Sequence, residues 1–248
     1  QDFQNINNGE RNRTALFGEW EKRFSPQWLS LLGVRYERVQ TNAGNVHGYG
    51  GMMDMNQTAD ASAFNAQNHK KSDNNWDMSA LARYTLDASK DLEFGLARKV
   101  RSPNLYERYT WSTAQMMMIM NNTVGDGNGY VGDVNLKPEK AHTISSTFDW
   151  HAADRAWEFK ATPYYTHVTD YIDAVRCGVA NMGACPATVA NTTPGLFTRL
   201  KYANQSARLY GVDLSGKLPL GNTGVGDLGL KGLLNYTNGK NRDTGDDL

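Results

Sequence analysis

Two methionine clusters are the residues in this chain best suited to soft-ligand chemistry. One is Met52-Met53-Asp54-Met55, with His47 shortly before it and His69 after it. The other is Met116-Met117-Met118-Ile119-Met120. Thioether sulfur is a soft donor that selects Cu(I) over hard cations, so His47, Met52, Met53, Met55, Met116, Met117, Met118 and Met120 form a candidate metal set. The same methionines also suit adaptable apolar contact, because Met fills irregular gaps and recurs on promiscuous surfaces, and that reading takes precedence. A second candidate group is aromatic and basic: Tyr106, Arg108, Tyr109, Trp111 and Tyr130. Such side chains stack on and orient an organic chelate, or pack one loop against another. Asp126, Asn128 and Asp133 alternate with glycines, but the twelve-position calcium pattern with its final Glu is absent. A glycine turn explains that stretch better.

Enzyme chemistry finds little support. There is no Ser-His-Asp ordering, no phosphate-cradling glycine motif and no helical His pair. Cys177 and Cys185 sit in one polar loop, between Gly and Pro. A local disulfide is the economical reading and implies an oxidising compartment. With no His nearby, a zinc site is disfavoured.

The elements that carry these residues are strands. Period-two alternation marks eight: Arg13 to Phe24, Trp28 to Val39, Trp76 to Leu86, Leu92 to Arg101, Ala141 to Trp150, Trp157 to Ile172, Tyr202 to Leu218 with an interruption near Gln205, and Leu228 to Asn238. Their connections sort by length. Ser25 to Gln27, Asp87 to Asp91, His151 to Ala156 and Gly221 to Gly226 are short; Asn42 to Asn74, Ser102 to Glu139 and Asp173 to Leu196 are long. Compact soluble domains keep most connections short, whereas outer-membrane barrels carry short turns at one end and long loops at the other. Many apolar faces begin or end in Trp or Tyr, as at the two interfaces of such a barrel, while charges line the opposite face.

Composition agrees. The 248 residues hold 26 basic and 26 acidic side chains, so no basic surplus points to nucleic acid. Mean hydropathy is −0.61, which excludes a bundle of membrane helices but not a barrel with a polar lumen. Alternation alone also allows a soluble β-sandwich. The chain opens at Gln1 without Met or signal peptide and ends after a Gly-Asp-rich stretch, so a segment of a longer protein is expected.

Four stretches carry a family resemblance. Phe94 to Tyr109 (FGLARKVRSPNLYERY) resembles the strand-to-loop signature of TonB-dependent outer-membrane receptors, and Gly132 to Ala141 (GDVNLKPEKA) resembles their N-L-K-P-E strand re-entry. Tyr165 to Ile172 resembles their exit into a loop, and Tyr202-Ala203-Asn204 with Ala207 to Asp213 resembles their Y-x-N…A-x-x-x-G-V-E signature, with Asp213 in place of Glu. The resemblance covers about Leu92 to Leu218; the first third matches by barrel pattern alone. It implies an all-β antiparallel transmembrane barrel segment, with residues 1–248 one part of the barrel and the plug, the TonB box and the final strands outside it. It further implies bacterial outer-membrane localisation, the lipid bilayer, the TonB complex and a small-molecule or metal ligand as partners, and uptake of a scarce ligand such as an iron–siderophore. A passive porin and a soluble adhesin are the alternatives. Pro103 and Pro138 lack an N–H and mark where the ladder stops at either side of the middle loop.

Overall fold

The computed structural model describes residues 3–48, 57–120, 122, 124–177 and 197–248. The chain forms β1 (Glu10–Arg23), β2 (Trp28–Asn42), α1 (Gln57–Asn65), β3 (Lys71–Asp87), β4 (Lys90–Arg101), α2 (Leu105–Tyr109), α3 (Gln115–Met120), β5 (Gly129–Val131), β6 (Glu139–His151), β7 (Glu158–Arg176), β8 (Arg199–Thr223) and β9 (Gly226–Asn241). One sheet contains all nine strands. β1, β2, β3, β4, β6, β7, β8 and β9 follow one another as antiparallel neighbours, and β5 pairs in parallel with the loop-side end of β8. Among the described residues the wall is open: β1 and β9 each pair on one side only.

Eight wall strands match the alternation in number and order, and the short and long connections fall at opposite ends. The main departures are at the loop side. β3 starts at Lys71 rather than Trp76, β7 runs to Arg176 and β8 begins at Arg199; at the short-turn end β8 continues to Thr223. β8 is also continuous past Gln205; the irregularity sits on β7. There the register steps from Val168↔Ala207 to Tyr171↔Gln205, with Asp170 at a positive φ of 56°. This is a bulge, in which two residues oppose one and a short polar side chain takes the left-handed position.

Backbone pairing is obligatory where strands cross hydrocarbon, and it fixes which side chains share a face. Trp28 pairs with Tyr84 and Tyr36 with Trp76, setting aromatic rings at the two edges of the outward apolar stretch of β2 and β3, with centroids 5.8 and 4.9 Å apart. Trp150 and Trp157 meet edge to face at 5.1 Å near the short turns. Between the two belts lie Leu32, Leu96, Ile144 and Leu234, all exposed. Trp28 and Tyr36 are separated by about 26 Å of strand at ~3.3 Å per residue, the scale of the apolar band of a membrane barrel. No second layer covers this face among the described residues: Leu32 is 49 %, Phe94 56 % and Leu230 60 % exposed. A sandwich would bury these side chains.

The inward face is polar and paired. Glu37 accepts from Arg13 and Arg35, Arg83 donates to Glu93 at 2.6 Å, and Thr hydroxyls pair across β6 and β7 at 2.8 and 2.9 Å. The turns are held locally. Asp87 accepts from the amide of Ser89, and the Ser25 hydroxyl accepts from the amide of Trp28. Gly211 has no alternative, since a β-carbon there would collide with the carbonyl of Tyr236 and the ring of Tyr164.

Leu96→Arg, at mid-band on the outward face, is predicted to destabilise the full-length protein by about 2–4 kcal/mol in lipid vesicles. Lys99→Ala on the inward face should change stability by less than about 0.5 kcal/mol. Urea unfolding monitored by tryptophan fluorescence measures both.

Candidate ligand-binding loops

The loop assembly is built from the chain emerging at the long-loop end of the wall. Residues 43–48 and α1 pack on α2 and the segment after it. Ala43, Val46, Ala61, Phe64, Tyr109, Trp111 and Val134 form a buried cluster, flanked by Phe3, Ile6 and Leu105. Asn65 bonds both the amide and the carbonyl of Val46 at 2.8 Å. The α2 turn forms because Asn104 and Glu107 make a reciprocal capping box, which satisfies two otherwise orphaned amides.

Arg108 anchors this unit to the wall. It is 1 % exposed. Its guanidinium donates to both carboxylate oxygens of Asp73 at 3.0 and 2.9 Å, to the Thr41 hydroxyl at 2.9 Å and to the Leu136 carbonyl at 3.1 Å. The Tyr109 hydroxyl joins the Thr41 hydroxyl and the His69 carbonyl at 2.8 and 2.6 Å. Burial pushes the Tyr109 phenol up from its ordinary range, against the Thr41 hydrogen bond and the nearby Arg108 charge. The Trp111 indole donates to the Gln4 carbonyl. A β-carbon on Gly132 would lie 2.8 Å from the Arg108 carbonyl carbon, so the return strand passes α2 at glycine distance.

Four of the sequence signatures converge here. Asn204, from the Tyr202-Ala203-Asn204 stretch, accepts from the amide of Lys137 and donates to its carbonyl, holding the N-L-K-P-E segment. It also donates to the carbonyl of Asp170 in the β7 bulge. Glu139 accepts from Arg101 and from the amide of Ile172, and Arg101 also reaches Glu107. These motifs therefore form a fastening at the strand-to-loop rim.

The candidate residues separate by position. Arg108, Tyr109 and Trp111 lie inside the loop assembly, where their side chains hold the loops together, and Arg108 and Trp111 also line a recess between the loops. Tyr106 is 44 % exposed on α2. Tyr130 is half-buried, stacks on Tyr202 at 5.5 Å and donates to Asp126 at 2.7 Å. On α3, Met118 is buried with Val131, Cys177 and Phe197, whereas Met116 and Met120 are 59 % and 69 % exposed and Met117 is half-buried. His47 is exposed. Met52, Met53 and Met55 lie outside the described residues, so the convergence of the two methionine clusters has no geometry here. His69 sets both ring nitrogens on backbone carbonyls, of Ala43 and Phe64, leaving neither for a metal. Cys177 is disulfide-bonded; Cys185 lies outside the described residues.

The Gly125–Tyr130 turn is closed by Asp126. Its carboxylate accepts from Asn122, Tyr130 and both nitrogens of Asn128, and Gly125 and Gly127 take positive φ of 83° and 78°. The oxygens are occupied by donors of the chain itself, so the stretch is a glycine turn. Partial burial opposes ionisation of Asp126, yet the hydrogen bonds from Tyr130, Asn128 and Asn122 outweigh it and hold the carboxyl at about 2. Burial, then the bond to Asp126, pushes the Tyr130 phenol well up, so it remains a donor.

Two polar features escaped sequence reasoning. A recess of about 180 Å³ opens between the loops, with Asp60, Phe64, Trp111, Asp133 and Lys201 in its wall. At the short-turn end, Asp91, Asp149 and His151 bring ligand-type atoms within 4.8 Å of one another. There Arg155 bridges Asp91 at 2.9 Å and Asp149 at 3.2 Å, so the cluster is neutralised by a cation of the chain. A recess of about 900 Å³ is walled by Trp150, Trp157, Leu214 and Leu230 on the outward face, away from the loops, and suits acyl chains.

Replacing Arg108 by Met is predicted to cost about 3–5 kcal/mol by stranding Asp73, with loosening of residues 43–48 and 105–136 seen by hydrogen exchange. Acid should open the Gly125–Tyr130 turn separately. The folded carboxyl of Asp126 titrates below its ordinary value near 3.9, so its contribution is full above that value and fades as pH falls toward about 2. Protection factors corrected for intrinsic exchange should follow that course and lose it in Asp126→Asn.

Comparison with known proteins follows the same lines. The family described as TonB dependent receptor-like, beta-barrel, matches residues 2–248. Among solved structures, the chain is similar to the copper transporter OprC, at 18 % identity and a TM-score of 0.64, over 97 % of this chain and 30 % of that one. It is similar to the alcaligin outer-membrane receptor FauA of Bordetella pertussis, at 10 % identity and a TM-score of 0.54, over 97 % and 32 %. It is also similar to the Serratia marcescens hemophore receptor HasR, solved with its hemophore HasA and heme, at 13 % identity and a TM-score of 0.55, over 94 % and 34 %. A search of curated protein sequences gives no match. The chain spans about a third of the length of these three structures. With its open antiparallel wall, outward apolar band and rim motifs, the chain belongs to the TonB-dependent receptor β-barrel family.

Proposed function

We propose that this wall is part of an outer-membrane receptor that captures a scarce extracellular ligand on its loops and imports it with energy supplied through TonB. The observation that carries the reading is the division of labour in the loops. Arg108, Tyr109 and Trp111 fasten them into one body, while Tyr106 on α2 and Met116, Ile119 and Met120 on α3 stay exposed. A passive pore has no need of such a body, and a constricting loop would carry strong charge rather than methionine and aromatic side chains. An organic metal chelate of the siderophore class suits exposed rings and polarizable thioethers, which offer contact without a fixed hydrogen-bond pattern.

A second reading has its own geometric support. Met116 and Met120 stand four residues apart, a spacing that puts side chains on one helix face, and both are exposed. Two thioethers on one face are a soft donor pair suited to Cu(I).

The test uses the full-length receptor. Tyr106→Ala should weaken binding of the cognate ferric chelate about five-fold, the value of one stacking contact, and uptake should stop in cells lacking TonB. A large unselective conductance from the full-length protein would overturn the receptor reading. For copper, Met116→Leu with Met120→Leu should raise the Cu(I) dissociation constant at least about ten-fold in an anaerobic competition titration, since a soft site loses its donors. An unchanged constant removes copper.

A further inference from the structure

Alternation and register bring two carboxylates and an imidazole together at the short-turn end of the inward face. Asp91, near the start of β4, shares the face of Glu93 and stands directly opposite Asp149 of β6. His151 lies two residues beyond Asp149, again on that face. The end of β6 is held in place there, because the amide of His151 donates to the Ser89 carbonyl in the turn before β4. Asp91, Asp149 and His151 are each no more than 5 % exposed. Like charges directly opposed across strands are unfavourable, and buried charges persist only when paired or when they coordinate a metal.

The imidazole is oriented to offer a lone pair. Its Nδ1 lies 2.7 Å from the Ala152 carbonyl. A carbonyl oxygen only accepts, so Nδ1 carries the proton and the lone pair of the neutral ring sits on Nε2. Metal-ligating histidines are fixed in the same way, by donating the other N–H to a carbonyl or carboxylate. The Nε2 of His151 is buried without a hydrogen-bond partner among the described residues, and it lies 3.4 Å from Oδ2 of Asp91. The Oδ1 of Asp149 is likewise buried without a partner. Two ligands on a tetrahedral zinc ion, with bonds of ~2.0–2.1 Å, stand about 3.4 Å apart. Nε2 and Asp91 Oδ2 already have that separation, and ligand atoms of all three residues fall within 4.8 Å of one another. The cations of the chain around the cluster have another partner in reach. Arg155 bridges Asp91 and Asp149, but lies 3.6 Å from Glu158 and its side chain is 44 % exposed. Lys160 is 3.5 Å from Asp149 but 2.8 Å from Glu158.

We infer that Asp91, Asp149 and His151 form a binding site for a divalent transition-metal ion of the zinc type, which enters by displacing the Arg155 guanidinium toward Glu158 and water. The imidazole nitrogen favours such an ion over magnesium or calcium, which take oxygen donors. Three ligands from the chain leave a fourth position for water. The ion ties β4 to the end of β6 at the turn side of the wall. This site is at the opposite end from the loops, and the inference is independent of which solute the loops take.

The experiment is a titration of the full-length protein in detergent with Zn²⁺ against a chromophoric chelator, with Mg²⁺ as a separate arm. Zn²⁺ should bind and Mg²⁺ should not. His151→Gln should raise the Zn²⁺ dissociation constant at least about ten-fold, since losing a ligand costs no less than losing the group that orients one. Asp149→Asn should shift it in the same direction. Arg155→Gln should lower the constant about ten-fold, because the ion no longer competes with a guanidinium for the two carboxylates. That gain is the distinguishing result: if Arg155 only holds the cluster together, its removal loosens the site and weakens binding. Arg155 lies on an exposed turn, so this variant should fold, and a gain of affinity is not produced by misfolding. His142→Gln, on the outward face, should bind Zn²⁺ as the unaltered protein does. No binding of Zn²⁺, an unchanged constant in His151→Gln, weaker binding in Arg155→Gln, equal binding of Mg²⁺, or an equal loss in His142→Gln would each overturn the inference. Ligand capture by the loops should not change in Arg155→Gln, so its outcome is read apart from the receptor reading.

Discussion

Hydrocarbon offers no partner to a peptide N–H or C=O, so every backbone group that crosses it must be paired within the sheet. That requirement governs this molecule. It explains strands of 12 to 25 residues joined by near-complete antiparallel ladders, and it turns simple alternation into two surfaces facing two media. Leu96, Ile144 and Leu234 meet lipid, while Glu37, Glu93 and Asp149 meet a polar interior. The loop side is released from the rule, and there the chain uses helices, a parallel strand and a bulge.

The loops need a different source of order, because no ladder holds them. It comes from a small apolar cluster around Tyr109 and Trp111 and from the buried Arg108–Asp73 pair. A buried ion pair is costly to assemble and costlier to break, so its effect is to specify one docking of the loops on the wall. Thr41 and Asp73 lie on the loop-side extensions of β2 and β3, and Asn204 lies on that of β8. The strands therefore continue beyond the aromatic belt so that they can carry the groups that receive the loops.

Much of the wall was legible because its period is two and its medium is binary. The turns at Ser25, Asp87 and Asp154 and the ladder stops at Pro103 and Pro138 announce themselves by residue type. The site was less legible. Arg108, Tyr109 and Trp111 look like ligand residues in a linear reading, since exposure cannot be inferred from a loop whose core is assembled from segments 40 to 107 residues apart. Nor did any local pattern announce that Asn204 would hold Lys137, or that the bulge would fall on β7 and not on β8.

The length of β8 has a consequence for encounter with charged solutes. From Tyr210, at the level of the headgroups, to Leu200, where β5 is docked, the strand climbs ten residues, or about 25 Å above the bilayer surface after allowing for tilt. The screening distance at physiological ionic strength is about 8 Å. A negatively charged molecule arriving at α3 and β5 is thus some three screening lengths from the anionic sheet of lipid, and feels the local charges of the loops instead of the repulsion of the cell surface.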